Sequence, residues 1–446
     1  MHVSVIDEEY LKRHPKSAEL HRQSDGAFPD GVTHDTRYVT PFPVFMAEGA
    51  GALKWDVDGN EYVDYVSGHG ALILGHSHPA VVEAVSAQMA KGTHLGGNTE
   101  AELRWANAVK ALMPSVEKVR FNSSGTEATM MAMRLARAYT GKNKIIKFAD
   151  HFHGWHDYAN AGSDGATGGI PTSTWEAMIV LTPGDVGVVE ETLKRDQDIA
   201  GLIMEPTGAH MGQYPLHVPE FLNEIREVTR RYGVLLIFDE VVTGFRLSTG
   251  GAQLLLGVEP DLTTMAKIVA GGLPGGAVGG RADILDMIAH RGDPAWDNSR
   301  RVAHQGTFNA NPLSATAGAT VLEMLVGGDV NRRADAASLR LKTGLNEVLT
   351  KMEVAGVAYG NGSLIHVGFG LECDPDEVWR LSSKEIGQSA KPGAPQSFKR
   401  AMLNAGVDVM GGRGFIVSSV HTEAHVDRTL NSFEECLANL RKDNFV

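Results

Sequence analysis

The sequence predicts an α/β protein built on a mostly parallel sheet that is covered by helices. Short apolar runs, "KVRFN", "KIIKF", "IAGLIME" and "GVLLIFDE", alternate from about residue 100 onward with longer segments of helical period. These runs are apolar on both faces, as the strands of a parallel sheet between two helical layers must be. With 446 residues the chain is long enough for two or three domains, each with its own core.

Smaller elements precede and follow this sheet. The segment "GALKWDVDGNEYVDYVSG" alternates apolar and polar residues around Asp58-Gly59, which predicts a tight N-terminal hairpin. Beyond Pro312, "LSATAGATVLEMLV" and "DAASLRLKTGLNEVLTKM" predict helices, and "SLIHVGF" and "GFIVSSV" predict strands of a C-terminal domain. The Gly-, Ser- and Thr-rich stretch at 161–174 is predicted to be mobile.

The first group of residues that suggests chemistry is "VRFNSSGTEATMMAMRLARAYTG". It predicts a strand, a small-residue turn at 123–126, and a helix from about Glu127 to Tyr139 that stops at Gly141. Free amides and the positive end of the helix dipole would make this turn a phosphate site. The plainer interpretation, a cap formed by Ser124 with Glu127, explains the same residues.

The second and third groups place an acid and an amine on adjacent strands. Asp239 follows five apolar residues, and Lys267 lies 28 residues further on, about one strand-to-strand step, among small and apolar neighbours. Asn122 and Glu205 also fall at predicted strand ends, where the carboxyl edge of such a sheet binds ligands. A buried carboxylate needs a cationic partner, and a lysine in a dry pocket can form a Schiff base with an aldehyde. A phosphate site, an acid for a pyridine nitrogen and a lysine for an aldehyde together predict pyridoxal 5'-phosphate.

Composition excludes several other classes of function. Lys plus Arg number 41 and Asp plus Glu number 54, so the formal net charge of −13 argues against nucleic acid or an anionic membrane as partner. Cys373 and Cys436 lack metal-ligand spacing and suit a reducing compartment. The N-terminus lacks the apolar core of a secretory signal, and no apolar run approaches membrane-spanning length. We therefore expect a cytoplasmic enzyme that acts on small molecules.

Five stretches of the sequence together resemble the class III pyridoxal phosphate aminotransferases. They are "SSGTEATMMAMRLARAYTGKNKIIKF", "DHFHGWHD", "LIFDEVVTGFR", "TTMAKIVAGGLPGGAVGG" and "HQGTFNANP", and the resemblance spans about residues 30 to 440. It implies the fold type I architecture, with a large domain around a mostly parallel seven-stranded type of sheet and a small α+β domain from both termini. We expect residues 1–70 to contribute to the small domain, 71–320 to form the large domain and 321–446 to complete the small one. The resemblance also implies a homodimer with a shared active site.

The resemblance assigns roles around the cofactor. Lys267 resembles the lysine that binds the aldehyde and exchanges the substrate proton, and Asp239 resembles the acid that keeps the pyridine nitrogen protonated. The remaining cofactor contacts that it implies are the phosphate cradle at Ser124, Gly125 and Thr126, an aromatic ring at Phe152, Val241 on the opposite ring face, Glu205 near the ring oxygen, and Thr307 reaching the phosphate from the neighbouring subunit.

Two arginines bear on the substrate. Arg37, in "GVTHDTRYVTPFP", is similar to an arginine that binds a substrate carboxylate in the glutamate semialdehyde aminomutase group. Arg413, in "GGRGF", falls where that group carries an acidic residue and instead resembles aminotransferases of β-amino acids. Since guanidinium pairs with carboxylate through two parallel hydrogen bonds, either residue would select acids, unless it forms only a surface ion pair.

Two further patterns favour ordinary structural roles. His151, His153 and His156 lie close together in "HFHGWH", but no acidic or cysteine ligand set accompanies them, so we expect no metal. The glycine run "GGLPGGAVGG" does not follow a strand and open a helix, as a dinucleotide loop would, and more simply lets backbone pack beside the cofactor.

The sequence thus predicts an aminotransferase that moves an amino group between a carboxylate-bearing amine, with β-amino acids as one candidate class, and a keto acid. A single cofactor implies a ping-pong mechanism. Glutamate-1-semialdehyde 2,1-aminomutase is the alternative within the family, because "AGSDGATGGIPTST" is close to the aminomutase lid segment. A non-catalytic, cofactor-binding regulatory protein is the alternative from another class.

Overall fold

The computed structural model describes residues 4–162, 165 and 167–446. The strands of the described chain are β1 (Met46–Ala50), β2 (Leu53–Asp56), β3 (Glu61–Asp64), β4 (Lys118–Asn122), β5 (Lys144–Phe148), β6 (Met178–Leu181), β7 (Ile199–Met204), β8 (Tyr214–Pro215), β9 (Leu235–Asp239), β10 (Leu262–Ala266), β11 (Gly276–Gly280), β12 (Gly356–Tyr359), β13 (Leu364–Phe369), β14 (Val407–Asp408) and β15 (Gly414–Ile416). The helices are α1 (Val5–Arg13), α2 (Pro15–Asp25), α3 (Ser67–Gly70), α4 (Pro79–Met89), α5 (Glu100–Leu112), α6 (Gly125–Thr140), α7 (Thr172–Trp175), α8 (Val186–Arg195), α9 (Ala209–Gly212), α10 (Glu220–Arg231), α11 (Gly251–Leu256), α12 (Ala282–Leu285), α13 (Pro294–Ser299), α14 (Pro312–Leu325), α15 (Asp329–Lys351), α16 (Ser383–Gln388), α17 (Ala394–Asn404) and α18 (Glu423–Lys442).

The chain divides into two units. A central unit comprises Pro79–Asn331, and a terminal unit comprises Met1–His78 together with Arg332–Val446. The domain boundaries expected at residues 71 and 321 remain a prediction.

The central unit is built on a seven-stranded sheet with the order β4-β11-β10-β9-β7-β5-β6. Strand β11 runs antiparallel to both of its neighbours, and the pairs β10-β9, β9-β7, β7-β5 and β5-β6 are parallel. The predicted α/β class with a mostly parallel seven-stranded sheet is therefore confirmed. The four predicted strand runs became β4, β5, β7 and β9.

Alternate residues of β9 show why these runs had to be apolar on both faces. Leu235 and Ile237 join a core with Met131 and Leu135 of α6 on one side of the sheet. Leu236 and Phe238 join a second core on the other side, with side chains of α8 and α10. Because both faces of the strand are covered by helices, a polar residue can be reached by a ligand only where the strand ends, which is the position of Asp239.

The terminal unit draws on both ends of the chain. Its four-stranded sheet has the order β1-β2-β3-β14, so β3 from the N-terminal part pairs in parallel with β14 from the C-terminal part. A three-stranded antiparallel sheet, β12-β13-β15, lies in the same unit. The predicted hairpin is confirmed as β2 and β3, with Leu53 opposite Val63. The predicted strand "GFIVSSV" is shorter than expected, since β15 ends at Ile416.

A buried ionic cluster links strands β2, β3 and β14 of the four-stranded sheet. Lys54 on β2 bridges Asp64 on β3 (2.8 Å) and Asp408 on β14 (2.5 Å). His76 contacts the second oxygen of Asp64 at 2.6 Å, and Lys399 of α17 binds Asp408. Each buried charge has a partner of opposite sign, without which the desolvation of these groups would be strongly unfavourable.

Other predictions were met along the chain. The helices expected after Pro312 are α14 and α15. Of the segment predicted to be mobile, Ser163, Asp164 and Ala166 lie outside the described residues. Among the described helices, none is both long enough and apolar enough to cross a membrane.

Candidate active site

The turn after β4 opens helix α6 and leaves amide groups at its start. Ser124 caps the helix by accepting a hydrogen bond from the Glu127 amide at 3.2 Å, and Glu127 in return accepts one from the Ser123 amide at 2.7 Å. The helix begins at Gly125, ends at Thr140 and is capped by Gly141, close to the predicted limits. The predicted cap formed by Ser124 with Glu127 is thus present. The cap uses neither the Gly125 nor the Thr126 N–H group, and the first turn of a helix has no internal acceptor for them.

Glycines let three other segments approach this turn. A Cβ atom on Gly276 of β11 would lie 2.3 Å from the Ser124 carbonyl oxygen, and one on Gly154 would lie 2.6 Å from the Thr126 hydroxyl. A Cβ atom on Gly125 would lie 3.1 Å from both methyl groups of Val241. The histidine-rich loop and Val241, which follows β9 by two residues, therefore each lie within contact distance of the predicted cradle.

Asp239 is held in one orientation at the end of β9. Its Oδ2 atom lies 2.7 Å from Nδ1 of His153, and its Oδ1 atom accepts hydrogen bonds from the Val241 amide (3.1 Å) and the Thr264 hydroxyl (3.3 Å). Burial lowers the pKa of His153, against the opposing effect of Asp239, so the ring acts as a neutral N–H donor. Within the described chain no lysine or arginine forms an ion pair with Asp239, which leaves its negative charge for a cationic ligand.

The neighbouring acid, Glu240, has a purely structural role. Its carboxylate accepts hydrogen bonds from the Ala252 amide (2.8 Å), the Gln253 amide (2.9 Å) and the Thr243 hydroxyl (2.6 Å), and so it caps helix α11. Burial raises the pKa of Glu240, while these donors oppose that rise. Asp239 therefore faces the site, whereas Glu240 stabilises the fold by capping helix α11.

Lys267 follows β10 on the strand adjacent to Asp239, as its spacing predicted. Thr264 of β10 is in register with Asp239 of β9. Lys267 itself starts a short 3-10 turn with a left-handed φ of 56°, a backbone conformation that is uncommon outside glycine. Trp105 stabilises the turn by donating its indole N–H to the Val269 carbonyl at 2.7 Å. Burial lowers the pKa of Lys267, and the carboxylates of Asp239 and Glu205 oppose that decrease.

Glu205 connects two loops at the end of β7. Its Oε1 atom accepts hydrogen bonds from the amides of Phe152 (2.9 Å) and His210 (3.1 Å), and Oε2 accepts one from the Met211 amide (3.1 Å). Its own amide donates to Nδ1 of His151 at 2.9 Å. Burial, and next the charge of Asp239, raise the pKa of Glu205 to about 7. The side chain of Phe152 remains 58% exposed, so its ring has a free surface for a ligand.

The remaining predicted contact in this unit, Thr307, lies on an exposed loop. Its carbonyl accepts a hydrogen bond from Nε2 of His94 at 2.5 Å, and the next residue, Phe308, is 60% exposed. Thr307 and Phe308 are therefore both exposed on the surface of their own unit.

The two predicted substrate arginines both belong to the terminal unit. Arg37 is exposed, and its Nη1 atom donates to the Thr33 hydroxyl at 3.0 Å. Arg413 is half-buried beside β15, and its carbonyl accepts from the Val367 amide at 2.8 Å. Within the described residues, the guanidinium group of Arg413 enters no ion pair or hydrogen bond of the protein.

Sequence reasoning missed three residues around Asp239 and Glu205. His153 and Thr264 bind Asp239, although His153 was considered only as a metal ligand. Lys147, in the middle of the "KIIKF" strand, is 3% exposed. A lysine inside an otherwise apolar strand was a visible signal, because a charge there requires a specific reason. In the described chain, no group of three or more His, Cys, Asp or Glu side chains is arranged to hold a metal ion.

This set of groups fits pyridoxal phosphate. The amides of Gly125 and Thr126 suit the phosphate, Asp239 suits a protonated ring nitrogen, and Lys267 has an amine of lowered pKa for the aldehyde. Phe152 and Val241 are apolar side chains near those groups that suit the two faces of a ring. The placement of each residue around a bound cofactor remains a proposal.

Comparison with known proteins gives a consistent result. The sequence model of the family described as Aminotransferase class-III matches residues 35–437. A glutamate-1-semialdehyde 2,1-aminomutase of Desulforudis audaxviator is 40% identical over 436 residues, covering 95% of this chain and 97% of that protein. The crystal structure of an omega-transaminase from Sphaerobacter thermophilus is 34% identical with a TM-score of 0.88, covering 97% of this chain and 99% of that one. The structure of a β-phenylalanine aminotransferase from Variovorax paradoxus is 29% identical with a TM-score of 0.84, covering 98% and 97%.

Proposed function

The chain belongs to the class III aminotransferase family, and on that premise we propose that it transfers an amino group from a carboxylate-bearing amine to a keto acid. It is a pyridoxal phosphate-dependent enzyme, as members of this family are. β-Amino acids are the donor class that we place first. The reaction is ping-pong, because one cofactor must hold the nitrogen between the two half-reactions.

Lys267 and Asp239 have different roles in the proposed reaction. Bound pyridoxal phosphate supplies an electron sink for the pair released when the C–H bond at the amino-bearing carbon of the substrate breaks. Lys267, an amine of lowered pKa beside two carboxylates, is suited to take that proton and return it. Asp239, fixed by His153, Thr264 and the Val241 amide, holds a proton on the ring nitrogen by its negative charge.

Arg413 is the residue that selects carboxylate-bearing substrates. Its guanidinium has no acidic partner in the described protein, so it is free to pair with a carboxylate of the substrate. The structural similarity to a β-phenylalanine aminotransferase supports the same donor class. Arg37 lies on an exposed turn and donates to Thr33, which makes it the weaker candidate for a substrate contact.

Glutamate-1-semialdehyde 2,1-aminomutase is the second candidate. The 40% identity to proteins of that name over nearly the whole chain favours it, and intramolecular amino exchange would use the same lysine and acid. The two candidates differ in whether the nitrogen is transferred to a second molecule or returns to the same carbon skeleton.

A donor screen separates the two candidates. Purified protein is incubated with α-amino acids, β-amino acids and carboxylate-free amines, each with a keto acid acceptor, and free keto product is measured. We expect product from the carboxylate-bearing donors, and the Arg413→Ala variant should raise KM for them by about 10- to 100-fold. Arg380→Ala, on an exposed arginine of the same unit that pairs with Glu377, is the matched control. Isomerisation of glutamate semialdehyde without exchange of nitrogen would instead establish the aminomutase.

We also propose a cytoplasmic homodimer whose active site is shared. Exposed apolar side chains on the central unit, Leu95 (59%), Leu103 (61%) and Phe308 (60%), support a partner surface close to Thr307. Two free cysteines, Cys373 and Cys436, support a reducing compartment.

A further inference from the structure

Lys147 is a charged residue inside the sheet, and the reaction described above does not use it. It lies on β5, which pairs with β6 on one side and β7 on the other. Its residue is 3% exposed, between the buried Ile146 and Phe148. Lysine is rarely buried to this extent unless a nearby group uses its charge.

The ammonium group binds the loop that carries the cofactor-facing side chains. Nζ of Lys147 donates to the Ala159 carbonyl at 2.8 Å. Ala159 lies in the segment that also contains Phe152 and His153, whose contacts with Glu205 and Asp239 are described above. The hydrogen bond therefore fixes the loop at Ala159, while Glu205 and Asp239 fix the same loop at Phe152 and His153.

The charge of Lys147 also faces the acid that holds Phe152. Burial lowers the pKa of Lys147 to about 8, while Glu205 and Asp150 oppose that decrease. The other titratable groups near Lys147 are four imidazoles. Burial is the main cause that lowers the pKa of each ring, and the charge of Lys147 lowers it further. These residues are His151, His153, His156 and His210. Because these rings are neutral, the cations among the described residues that compensate Glu205 are Lys147 and Lys267.

We propose that Lys147 is a positioning residue for the cofactor site: it holds the 149–162 loop through Ala159 and supplies one of the buried positive charges near Glu205. The proposal deepens the aminotransferase function proposed above and rests on it for the identity of the ligand. Without the ammonium group, Glu205 would be a buried carboxylate with weaker compensation, and its hold on the Phe152 amide would loosen.

The test compares Lys147→Met and Lys147→Arg with a control on the same strand, Lys144→Met, whose lysine pairs with Asp196 outside the site. Hydrogen–deuterium exchange of peptides from 149–162 is measured on the cofactor-free proteins, and pyridoxal phosphate affinity is measured by fluorescence titration. We expect Lys147→Met to speed exchange in that loop and to weaken cofactor binding by about tenfold, with Lys147→Arg within about threefold of the wild type. Lys147→Met behaving like Lys144→Met in both measurements would overturn the proposal.

A double variant covers the case in which Lys147→Met does not fold. Lys147→Met/Glu205→Gln removes both buried charges, so it should fold and bind the cofactor no more weakly than the worse single variant. Additive losses, or failure of the double variant to fold, would overturn the charge compensation. If the wild type does not bind pyridoxal phosphate, the proposed function fails, while the exchange measurement still decides the role of Lys147.

Discussion

Among single residues, Lys267 is held in an uncommon backbone conformation and in a buried environment that lowers the pKa of its amine. Lys267 has a left-handed backbone, and such a conformation costs about 1–3 kcal/mol outside glycine. Its amine is also desolvated, which favours the neutral, nucleophilic form. The surrounding turn, held by Trp105, maintains both features.

Replacing Lys267 tests the covalent chemistry directly. Lys267→Ala should abolish transamination while the protein still folds, since alanine has no amine but adopts the left-handed conformation at a similar cost. Borohydride treatment followed by mass spectrometry should find cofactor attached to the wild type and not to the variant. The exposed Lys194→Ala is the control, and substantial turnover by Lys267→Ala would refute the assignment.

Glu205 predicts how stability depends on pH. Its pKa is raised to about 7 in the folded protein, from an ordinary value of 4.5, so the folded state binds more protons than the unfolded state between those values. This group therefore stabilises the fold below about pH 4.5, and that contribution, of about 3 kcal/mol, is lost as pH rises through 7.

The measurement is the free energy of unfolding of the cofactor-free protein in urea at pH 5 and pH 8. Glu205→Gln should reduce the difference between the two pH values, while Glu259→Gln on an exposed loop should leave it unchanged. An equal pH difference in wild type and Glu205→Gln would show that Glu205 does not titrate in this way.

At the scale of elements, strand β11 explains the glycine run "GGLPGGAVGG". The second half of the run, Gly276–Gly280, forms the one antiparallel strand of the seven described in the sheet, lies between β4 and β10, and is buried throughout. Gly276 pairs with Asn122 on one side and Ala266 on the other. The strand therefore lies directly against both the start of the phosphate turn and the residue before Lys267.

A side chain at this position should disturb the turn. Gly276→Ala places a Cβ atom 2.3 Å from the Ser124 carbonyl, so the backbone of the turn must move. We expect a loss of about 1–3 kcal/mol in the free energy of unfolding and about tenfold weaker cofactor binding, measured by urea denaturation and titration. Gly168→Ala, where the added methyl meets no atom within 4 Å, is the control. Unchanged cofactor affinity in Gly276→Ala would argue against a phosphate site at this turn.

At the scale of the whole molecule, both chain ends build the terminal unit and the intervening residues build the central one. The central unit has a surface that its own residues do not cover: every residue of the apolar helix α4 is at least partly exposed, and Leu95, Leu103 and Phe308 are more than half exposed. Exposed apolar side chains of this kind are typical of a protein interface.

The dimer can be tested at that surface. Phe308→Asp should convert a dimer into a monomer in light scattering and should weaken cofactor binding, because Thr307 would no longer reach a neighbouring site. Leu339→Asp is a matched control, since Leu339 is 62% exposed but lies in the terminal unit. A monomeric wild type with full activity would contradict the proposed shared site.

The α/β class, the main strands and the order of the chemical groups along them follow from the amino-acid sequence alone. Runs apolar on both faces have few alternatives to a covered parallel sheet, and such a sheet brings Asp239 and Lys267 to the same edge. The tertiary structure was needed to show that Glu240 caps helix α11, that His153 binds Asp239, and that Lys147 holds the loop at Ala159. Those contacts join residues that are distant in sequence, and the orientation of each side chain depends on packing and burial that no local pattern contains.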